Sequence, residues 1–389
     1  LEPEYYVYYQ RTVRDYFRDV RDMGFGEANA ELLPFRKMNM SPRDLSSVTG
    51  SVYTYLVNGH SPDMNWTGLF EPGETVRLRF INASAMTNFD VRIPGLDMRV
   101  VTADGKAVRP VECHEIRIGA AETYDVLVSP REHRAFTIFA ESLDRSGFTR
   151  GTLAPAPGMT SEVPGLRPVP DRRLEDIGMG MMKGKYFGGM DDGMMMEMHE
   201  KHMKMEMDNP AGPNGPKPFM PQKNDPNVNM TVMHPMSRID EPGIGLGKDG
   251  WKVLTYKDLI SAEPQPYKAA VERELTINIT ENMERFMFSL DGKKFTERPG
   301  PYLFRHNERL RLYMVNHSMM EHPMHLHGMW MQLETGRGNE ELPFKHTILI
   351  KPGEALSVRI TPIEKGDWAF HCHLLYHMEA GMFQVVRVA

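Results

Sequence analysis

Two short segments near the C-terminus concentrate side chains that bind transition metals. The first reads His322-Pro-Met-His325-Leu-His327-Gly328, and the second reads His371-Cys372-His373 and continues to His377 and Met382. Two His, one Cys and a weakly bound axial Met form the donor set of a blue-copper electron-transfer site. These residue types therefore predict a copper protein.

The spacing within the segments predicts two neighbouring metal sites. Side chains alternate between the two faces of a strand, so Cys372 must point away from both His371 and His373. We call the set predicted on one face the Cys372 site; it comprises Cys372, His322, His377 and Met382. We call the set predicted on the other face the four-histidine cluster, which suits several copper ions; it comprises His325, His327, His371 and His373. The covalent path through Cys372 to its two neighbours would carry electrons between the sites, which makes these three residues the predicted catalytic path.

The chain contains one β-rich pattern twice. Residues 53–59 (YTYLVNG) resemble residues 286–292 (FMFSLDG), and residues 73–84 align without a gap with residues 307–318. The first copy has Asn88, Val91 and Ile93 where the second copy has its three histidines. We therefore predict a metal-free β-domain followed by a metal-binding relative of it.

Periodicity and composition divide the chain into four parts. Residues 1–50 are predicted to form a helix and a connector, because Val13, Phe17 and Val20 have helical spacing before Gly24. Residues 51–155 and 251–389 show period-two alternation broken by turn residues, which indicates β-sandwiches with Greek-key connections. Residues 156–250 are rich in Pro and Gly and are predicted to be a linker.

The linker contains a methionine-rich insert, in which residues 179–207 hold 11 Met among 29 residues. Thioether sulfur prefers Cu(I), so the insert is a candidate for Cu(I) capture. A surface loop that acquired a biased composition without any function is the alternative interpretation. The candidate ligands are Met194, Met195, Met196, Met198, His199, His202, Met203, Met205 and Met207.

Overall composition excludes several classes of protein. The 389 residues carry a formal net charge of -6 and have no long basic block, which argues against binding to nucleic acid. No apolar run approaches the roughly 18 residues of a membrane span. Two cysteines cannot form a disulfide framework, and Cys113 is predicted to be a small buried hydrophobe. A content of 32 Met and 15 His supports copper.

The motifs HPxHxHG and HCHxxxHxxxxM resemble those of the last cupredoxin domain of multicopper oxidases. The stretches QRTVRDYFRDV, YTYLVNGHSPDMNWTGLF and CHLLYHMEAGMF are similar to the periplasmic copper-resistance oxidases of the CopA type. The resemblance implies an all-β fold of two cupredoxin-like Greek-key domains, the second and third of the family, joined by a long Met-rich loop. It also implies a periplasmic enzyme that oxidises Cu(I), and phenols as well, while reducing O2 to water.

The same resemblance implies a role for each ligand. Type 1 copper would lie at the Cys372 site, His325 would bind type 2 copper, and type 3 copper would take His327, His371 and His373. The family completes its trinuclear cluster with HxHG and HxH pairs from an N-terminal domain, and this sequence has no such further pair. Six other histidines stand singly and do not supply the missing pairs: His60, His114, His133, His234, His306 and His346.

We therefore expect that the N-terminal cupredoxin domain is missing, whether through cleavage, omission or natural loss, and that the fragment alone is inactive. One rival hypothesis is a periplasmic copper-sequestering protein without turnover. A second rival is a copper nitrite reductase, although His on both sides of Cys372 favours a coupled trinuclear cluster.

Overall fold

The computed structural model describes residues 11–37, 40–180, 215–222, 224–232 and 235–389. The candidate Cu(I) ligands of the insert, from Met194 to Met207, lie outside the described residues. None of the helices in the described ranges is long and apolar enough to cross a bilayer.

Two helices precede the first β-domain. Helix α1 (Val13–Met23) starts at a capping box between Thr12 and Asp15 and ends at Gly24, as predicted, while α2 (Phe25–Lys37) was not predicted. Within the described part of the chain, Val13 and Phe17 of α1 are 71% and 64% exposed, so the helix does not pack through them. The helix is held instead by its charged face, because Arg43 pairs with both Asp15 and Asp171.

Nine strands form the first β-domain. They are β1 (Trp66–Leu69), β2 (Val76–Ile81), β3 (Phe89–Arg92), β4 (Met98–Ala103), β5 (Lys106–Cys113), β6 (Glu115–Ile118), β7 (Thr123–Val128), β8 (Phe136–Ser142) and β9 (Phe148–Ala154). One sheet has the order β1-β9-β8-β3-β6, and the other has the order β2-β7-β4-β5.

Eleven further strands and one short helix form the second β-domain. They are β10 (Arg273–Asn282), β11 (Met287–Leu290), β12 (Tyr302–Phe304), β13 (Leu310–Asn316), β14 (His322–Leu326), β15 (Met331–Leu333), β16 (Phe344–Lys345), β17 (Thr347–Ile350), β18 (Ala355–Ile360), β19 (Gly366–Cys372), α3 (Leu375–Glu379) and β20 (Phe383–Val388). The sheets have the orders β12-β20-β19-β14-β17 and β11-β10-β13-β18-β15-β16. The predicted all-β fold class is confirmed.

The two domains share one design, as the internal repeat indicated. Their five-stranded sheets have the same strand order, and the same asparagine brace closes the turn before the central strand. Asn82 Nδ2 donates to the carbonyl oxygens of Thr87 (2.8 Å) and Ile118 (3.0 Å). Asn316 Nδ2 donates to those of Met320 (2.8 Å) and Ile350 (3.0 Å). Buried amides must find such partners, which explains why the repeat retains Asn at both positions.

The central strands differ in what they bury. In the second domain Met324 of β14 lies opposite Cys372 of β19, whereas in the first domain Asp90 of β3 lies opposite Glu141 of β8. These two carboxylates belong to a buried ionic cluster. Asp90 Oδ1 is 2.8 Å from Arg117 Nε, and Glu141 Oε2 is 2.8 Å from Arg167 Nε. Buried charge is tolerated only when it is paired. The first domain therefore has ion-paired carboxylate side chains at the position where the second domain has the Cys372 thiol.

Candidate metal centres

Register between two adjacent strands brings the two ligand segments together. Strand β14 pairs antiparallel with β19, and His325 lies opposite His371. Gly328 ends the first segment in a left-handed conformation (φ 74°), where a Cβ would lie 2.2 Å from Trp368 Cδ2. Only glycine allows this close approach to β19, which keeps the histidines of both strands side by side.

Three side chains of the Cys372 site form a small triangle. Cys372 Sγ is 3.5 Å from His322 Nδ1 and 3.9 Å from His377 Nδ1, and the two Nδ1 atoms are 3.3 Å apart. Donor atoms at these separations fit around a single ion with bonds of about 2.0–2.3 Å, which is the range for imidazole nitrogen and thiolate sulfur. All three residues are fully buried, so the site is dry and closed.

Two serines hold the outer edges of the imidazoles. Ser318 Oγ lies 2.7 Å from His322 Nε2, and Ser47 Oγ lies 2.9 Å from His377 Nε2. A second acceptor for the Ser318 hydroxyl, Asn316 Oδ1 at 2.6 Å, allows His322 Nε2–H to donate to Ser318. The Nδ1 lone pair then points at the thiol, as metal binding requires.

Burial keeps both imidazoles of this site neutral. It lowers the pKa of His322 to about 3 and that of His377 well below its ordinary value, since a cation would lose its hydration there. Burial also raises the pKa of the Cys372 thiol, again because the charged form is disfavoured. A bound cation reverses that preference and deprotonates the thiol, so the donor set suits a metal ion better than it suits an empty pocket.

The backbone of Met382, the candidate fourth ligand, lies beside the Cys372 site. Met382 is buried, its backbone N–H donates to the His377 carbonyl (2.9 Å), and its own carbonyl accepts from the Cys372 N–H (3.1 Å). Phe288 closes another side, because its ring stacks on His377 with 3.8 Å between centroids. Short helix α3 thus presents His377 against a rigid wall.

The four-histidine cluster forms on the opposite face, as alternation along β19 predicted. His327 Nε2 and His371 Nε2 are 3.2 Å apart, and the ring centroids of His325 and His373 are 5.7 Å apart. His371 Nδ1 is 2.9 Å from the Cys372 carbonyl oxygen, which accepts only, so Nδ1 carries the proton and Nε2 has a free lone pair. In the metal-free protein His327 Nε2–H can donate to this lone pair, and nitrogen atoms held this close together would also fit a shared copper ion.

Several residues at these sites were missed by the sequence analysis. Ser47 is far from its partner in sequence, and Glu281 Oε2, which is buried and has no hydrogen bond among the described residues, lies 4.0 Å from His322 Nε2. His346 was read as a single residue, yet its ring centroid is 5.2 Å from that of His325. No local motif marks any of these positions. Cys113, by contrast, is buried in the core as predicted.

The buried histidines predict a pH dependence of stability for the metal-free protein. Burial lowers the pKa of His317 to about 4 and that of His322 to about 3, against about 6.5 in an unfolded chain. The unfolded state therefore binds protons first, and the free energy of unfolding should fall as pH drops from 6.5 towards 4, by up to about 1.4 kcal/mol per pH unit for each histidine. Denaturant titrations at several pH values measure the slope. Replacing the exposed His133 with Gln should leave it unchanged, and a flat profile would contradict the prediction.

Comparison with known proteins identifies the family of this fold and these sites. Two family models, both described as multicopper oxidase, match the chain, one over residues 35–160 and the other over residues 268–389. The chain belongs to the multicopper oxidase family, and it is therefore an oxidoreductase with copper as its cofactor.

Particular relatives narrow the comparison further. Over its full length the chain is 45% identical to a copper resistance protein A homolog of Pseudomonas syringae pv. tomato, of which it covers 67%, and to copper resistance protein A of Escherichia coli, of which it covers 68%. Among solved structures, the laccase of Botrytis aclada matches 83% of the chain and 53% of its own length, with a TM-score of 0.51 and 12% identity, which supports the fold alone. The chain thus spans about two thirds of the length of these curated relatives.

Proposed function

We propose that the protein oxidises Cu(I) at the Cys372 site and passes the electrons to the four-histidine cluster for reduction of O2 to water, in the service of copper resistance. The observation that carries the proposal is the position of Cys372, whose thiol faces one set of imidazoles while its backbone neighbours His371 and His373 belong to the other. Four Cu(I) ions, four protons and one O2 yield four Cu(II) ions and two waters. Bound copper supplies the redox chemistry at both sites.

The protein residues supply a fixed, dry environment for electron transfer. Ser318, Ser47 and Phe288 hold the imidazoles of the Cys372 site, so these ligands do not rearrange when the charge of the site changes. The His371 Nδ1 proton bonds to the carbonyl of Cys372 itself, which joins the two sites through one residue. In this proposal Met382 is the weak axial ligand, His325 binds type 2 copper, and His327, His371 and His373 bind type 3 copper.

Identity to copper resistance proteins and the soft character of the donors support Cu(I) as substrate. Conversion to Cu(II) would lower the affinity of the ion for thiols, which is a chemical route to tolerance. We also propose a periplasmic location, which the resemblance to the periplasmic copper-resistance oxidases implies. Phenols are a second proposed class of reductant.

Reduction of the blue centre by Cu(I) tests the proposal against copper sequestration. The copper-loaded 389-residue chain is mixed with Cu(I) without oxygen, and absorbance of the thiolate-to-copper band is followed. We expect the colour to bleach as one electron enters each Cys372 site, because that site needs only ligands that the chain contains. Binding of Cu(I) with the colour unchanged would favour the sequestering alternative.

Cu(I) capture by the Met-rich insert is a separate part of the proposal. Met179, at the start of the insert, is buried in the core, so the deletion should begin later, at residues 190–207. In the absence of oxygen, we expect Cu(I) at low concentration to reduce the blue centre of the deletion variant more slowly, with reduction by a phenol and the blue band itself unchanged. Replacing the seven Met of the candidate ligands by Leu keeps the length and should reproduce the effect. Equal loss of both activities would indicate a structural insert, and no loss would exclude capture.

A further inference from the structure

The carboxylate of Asp104 reaches from the first β-domain into the second. Asp104 and Gly105 form the tight turn between β4 and β5, with φ of 48° and 78°, the left-handed pair that Asp-Gly favours in a two-residue hairpin. The Asp104 side chain is fully buried, although the residue lies at a hairpin tip. Something in the second domain must therefore satisfy its charge and its lone pairs.

The partners of Asp104 lie at a corner of the second domain. The chain leaves one sheet at Lys345 and enters the other at Thr347, and Asp104 Oδ2 accepts from the backbone N–H groups of His346 (3.0 Å) and Thr347 (3.1 Å). Lys345 Nζ lies 3.2 Å from the same oxygen, and it is also 2.8 Å from Glu122 Oε1 of the first domain. Oδ1 accepts from Thr123 N–H at 3.0 Å. The Asp104 carboxylate thus binds the first domain through Oδ1 and the corner of the second domain through Oδ2. We call the corner held in this way the clamped corner.

The clamped corner holds the imidazole of His325. The His346 carbonyl oxygen lies 2.8 Å from His325 Nδ1 and 3.2 Å from the backbone nitrogen of Leu326, and Thr347 Oγ1 lies 3.0 Å from His325 Nδ1. A carbonyl oxygen only accepts, so His325 carries its proton on Nδ1 and keeps the lone pair on Nε2.

We propose that Asp104, from the domain without metal ligands, is a positioning residue for His325: it fixes the corner at His346 and Thr347, and that corner fixes the tautomer and orientation in which Nε2 is free for copper. The inference rests on the proposed function in assigning copper to His325. The first domain, which has no predicted metal ligand, would then support the four-histidine cluster of the second domain. It would do so through contacts that run from Asp104 to His325 Nδ1.

Two measurements on the full chain test this role. Nitrogen NMR of the metal-free protein labelled in its histidines reports which ring nitrogen of His325 carries the proton, and titration with Cu(II) reports the affinity of the non-blue site. Asp104→Asn keeps the left-handed turn but removes one acceptor oxygen and the charge. We expect mixed tautomers at His325 and a copper affinity lower by about 10- to 100-fold, the usual effect of losing an outer partner of a metal ligand. The blue band should remain.

Asp291 provides the matched control. It also precedes a glycine in a tight turn, with φ of 51°, and its carboxylate accepts from the Asn278 backbone N–H (2.9 Å) and the Tyr302 hydroxyl (2.6 Å), but it does not contact the corner. Asp291→Asn should leave the His325 tautomer and the copper affinity unchanged. An unchanged tautomer and affinity in Asp104→Asn, or equal changes in both variants, would overturn the inference.

A second variant decides the matter if Asp104→Asn does not fold. Thr347→Val removes the hydroxyl beside His325 Nδ1 and retains the N–H that Asp104 accepts. We expect a smaller shift in the same two readouts, and no shift would overturn the inference. Failure of the proposed function is distinguishable, because Cu(I) would then leave the blue band of the unmodified chain unbleached, while the tautomer comparison would still report on Asp104.

Discussion

Replacing Cys372 with Ser should remove the blue absorption of the copper-loaded protein completely. The hydroxyl of Ser is a poor ligand for copper and gives no thiolate-to-copper transition. Since Cys372 Sγ lies 3.5 Å and 3.9 Å from the two Nδ1 atoms and the site is fully buried, the other thiol of the chain, Cys113, cannot take its place. Anaerobic oxidation of Cu(I) by the copper-loaded chain should fall to background, because electrons from Cu(I) enter at this residue. Visible absorption and copper content per chain measure the effect.

Cys113→Ser is the matched control for that substitution. Both cysteines are free and buried, but Cys113 lies in β5 opposite Met98 and belongs to the first domain. Burial raises the pKa of its thiol to about 12. We expect a lower melting temperature from the buried hydroxyl and an unchanged blue spectrum. Colour that survives Cys372→Ser, or disappears in Cys113→Ser, would show that the wrong thiol was assigned.

Oxygen consumption by the 389-residue chain alone should stay near background, even when its blue centre is filled and accepts electrons. Reduction of O2 by four electrons requires several coppers held together with defined geometry. Four imidazoles are too few protein ligands for three ions, and the sequence contains no additional HxH pair beyond His325-Leu-His327 and His371-Cys-His373. Electrons that reach His371 would find no complete acceptor.

The comparison protein is this chain extended by an N-terminal cupredoxin domain that carries the HxHG and HxH pairs which the family resemblance implies. An oxygen electrode with Cu(I) as reductant should record turnover by the extended protein and little by the chain alone. A version carrying His371→Ala should be blue and inactive, which separates the filling of the two sites. Equal turnover by the chain and its extension would mean that the missing ligands come from another source.

The division of the candidate ligands into two groups was predictable, because the direction of each side chain in a strand depends only on its position along that strand. Alternation along β19 places Cys372 opposite in direction to its neighbours, so HCH in a strand is enough to predict two sites, and the structure brings the predicted residues together in two groups. The repeat was predictable for a similar reason, because Asn82 and Asn316 make the same hydrogen bonds in the same turn.

The supporting contacts were not predictable from motifs. Ser47 reaches His377 across the connector, and Asp104 reaches the corner at His346 from another domain; each is one ordinary polar residue in an unremarkable segment. The contacts of helix α1 were not predictable either, because Asp15 pairs with Arg43 and Arg43 pairs with Asp171, and these residues are distant in sequence. Such pairings depend on the tertiary fold, and residue types at local spacing carry no information about them.

The ionic cluster at Asp90 and Glu141 has a consequence for how the two domains diverged. If an ancestral copy bound metal at both places, the first domain cannot regain a site by substituting the ligands one at a time. Replacing Glu141 with Cys would take one carboxylate from the buried guanidinium groups of Arg92 and Arg145 and from the partly buried Arg167, and removing one partner of a buried ion pair costs about 3–5 kcal/mol. Each single step back would threaten the fold before any copper could repay it with binding energy. The arginines of the ionic cluster therefore hinder the return of a metal site to the first domain, and the two duplicated domains stay different in function.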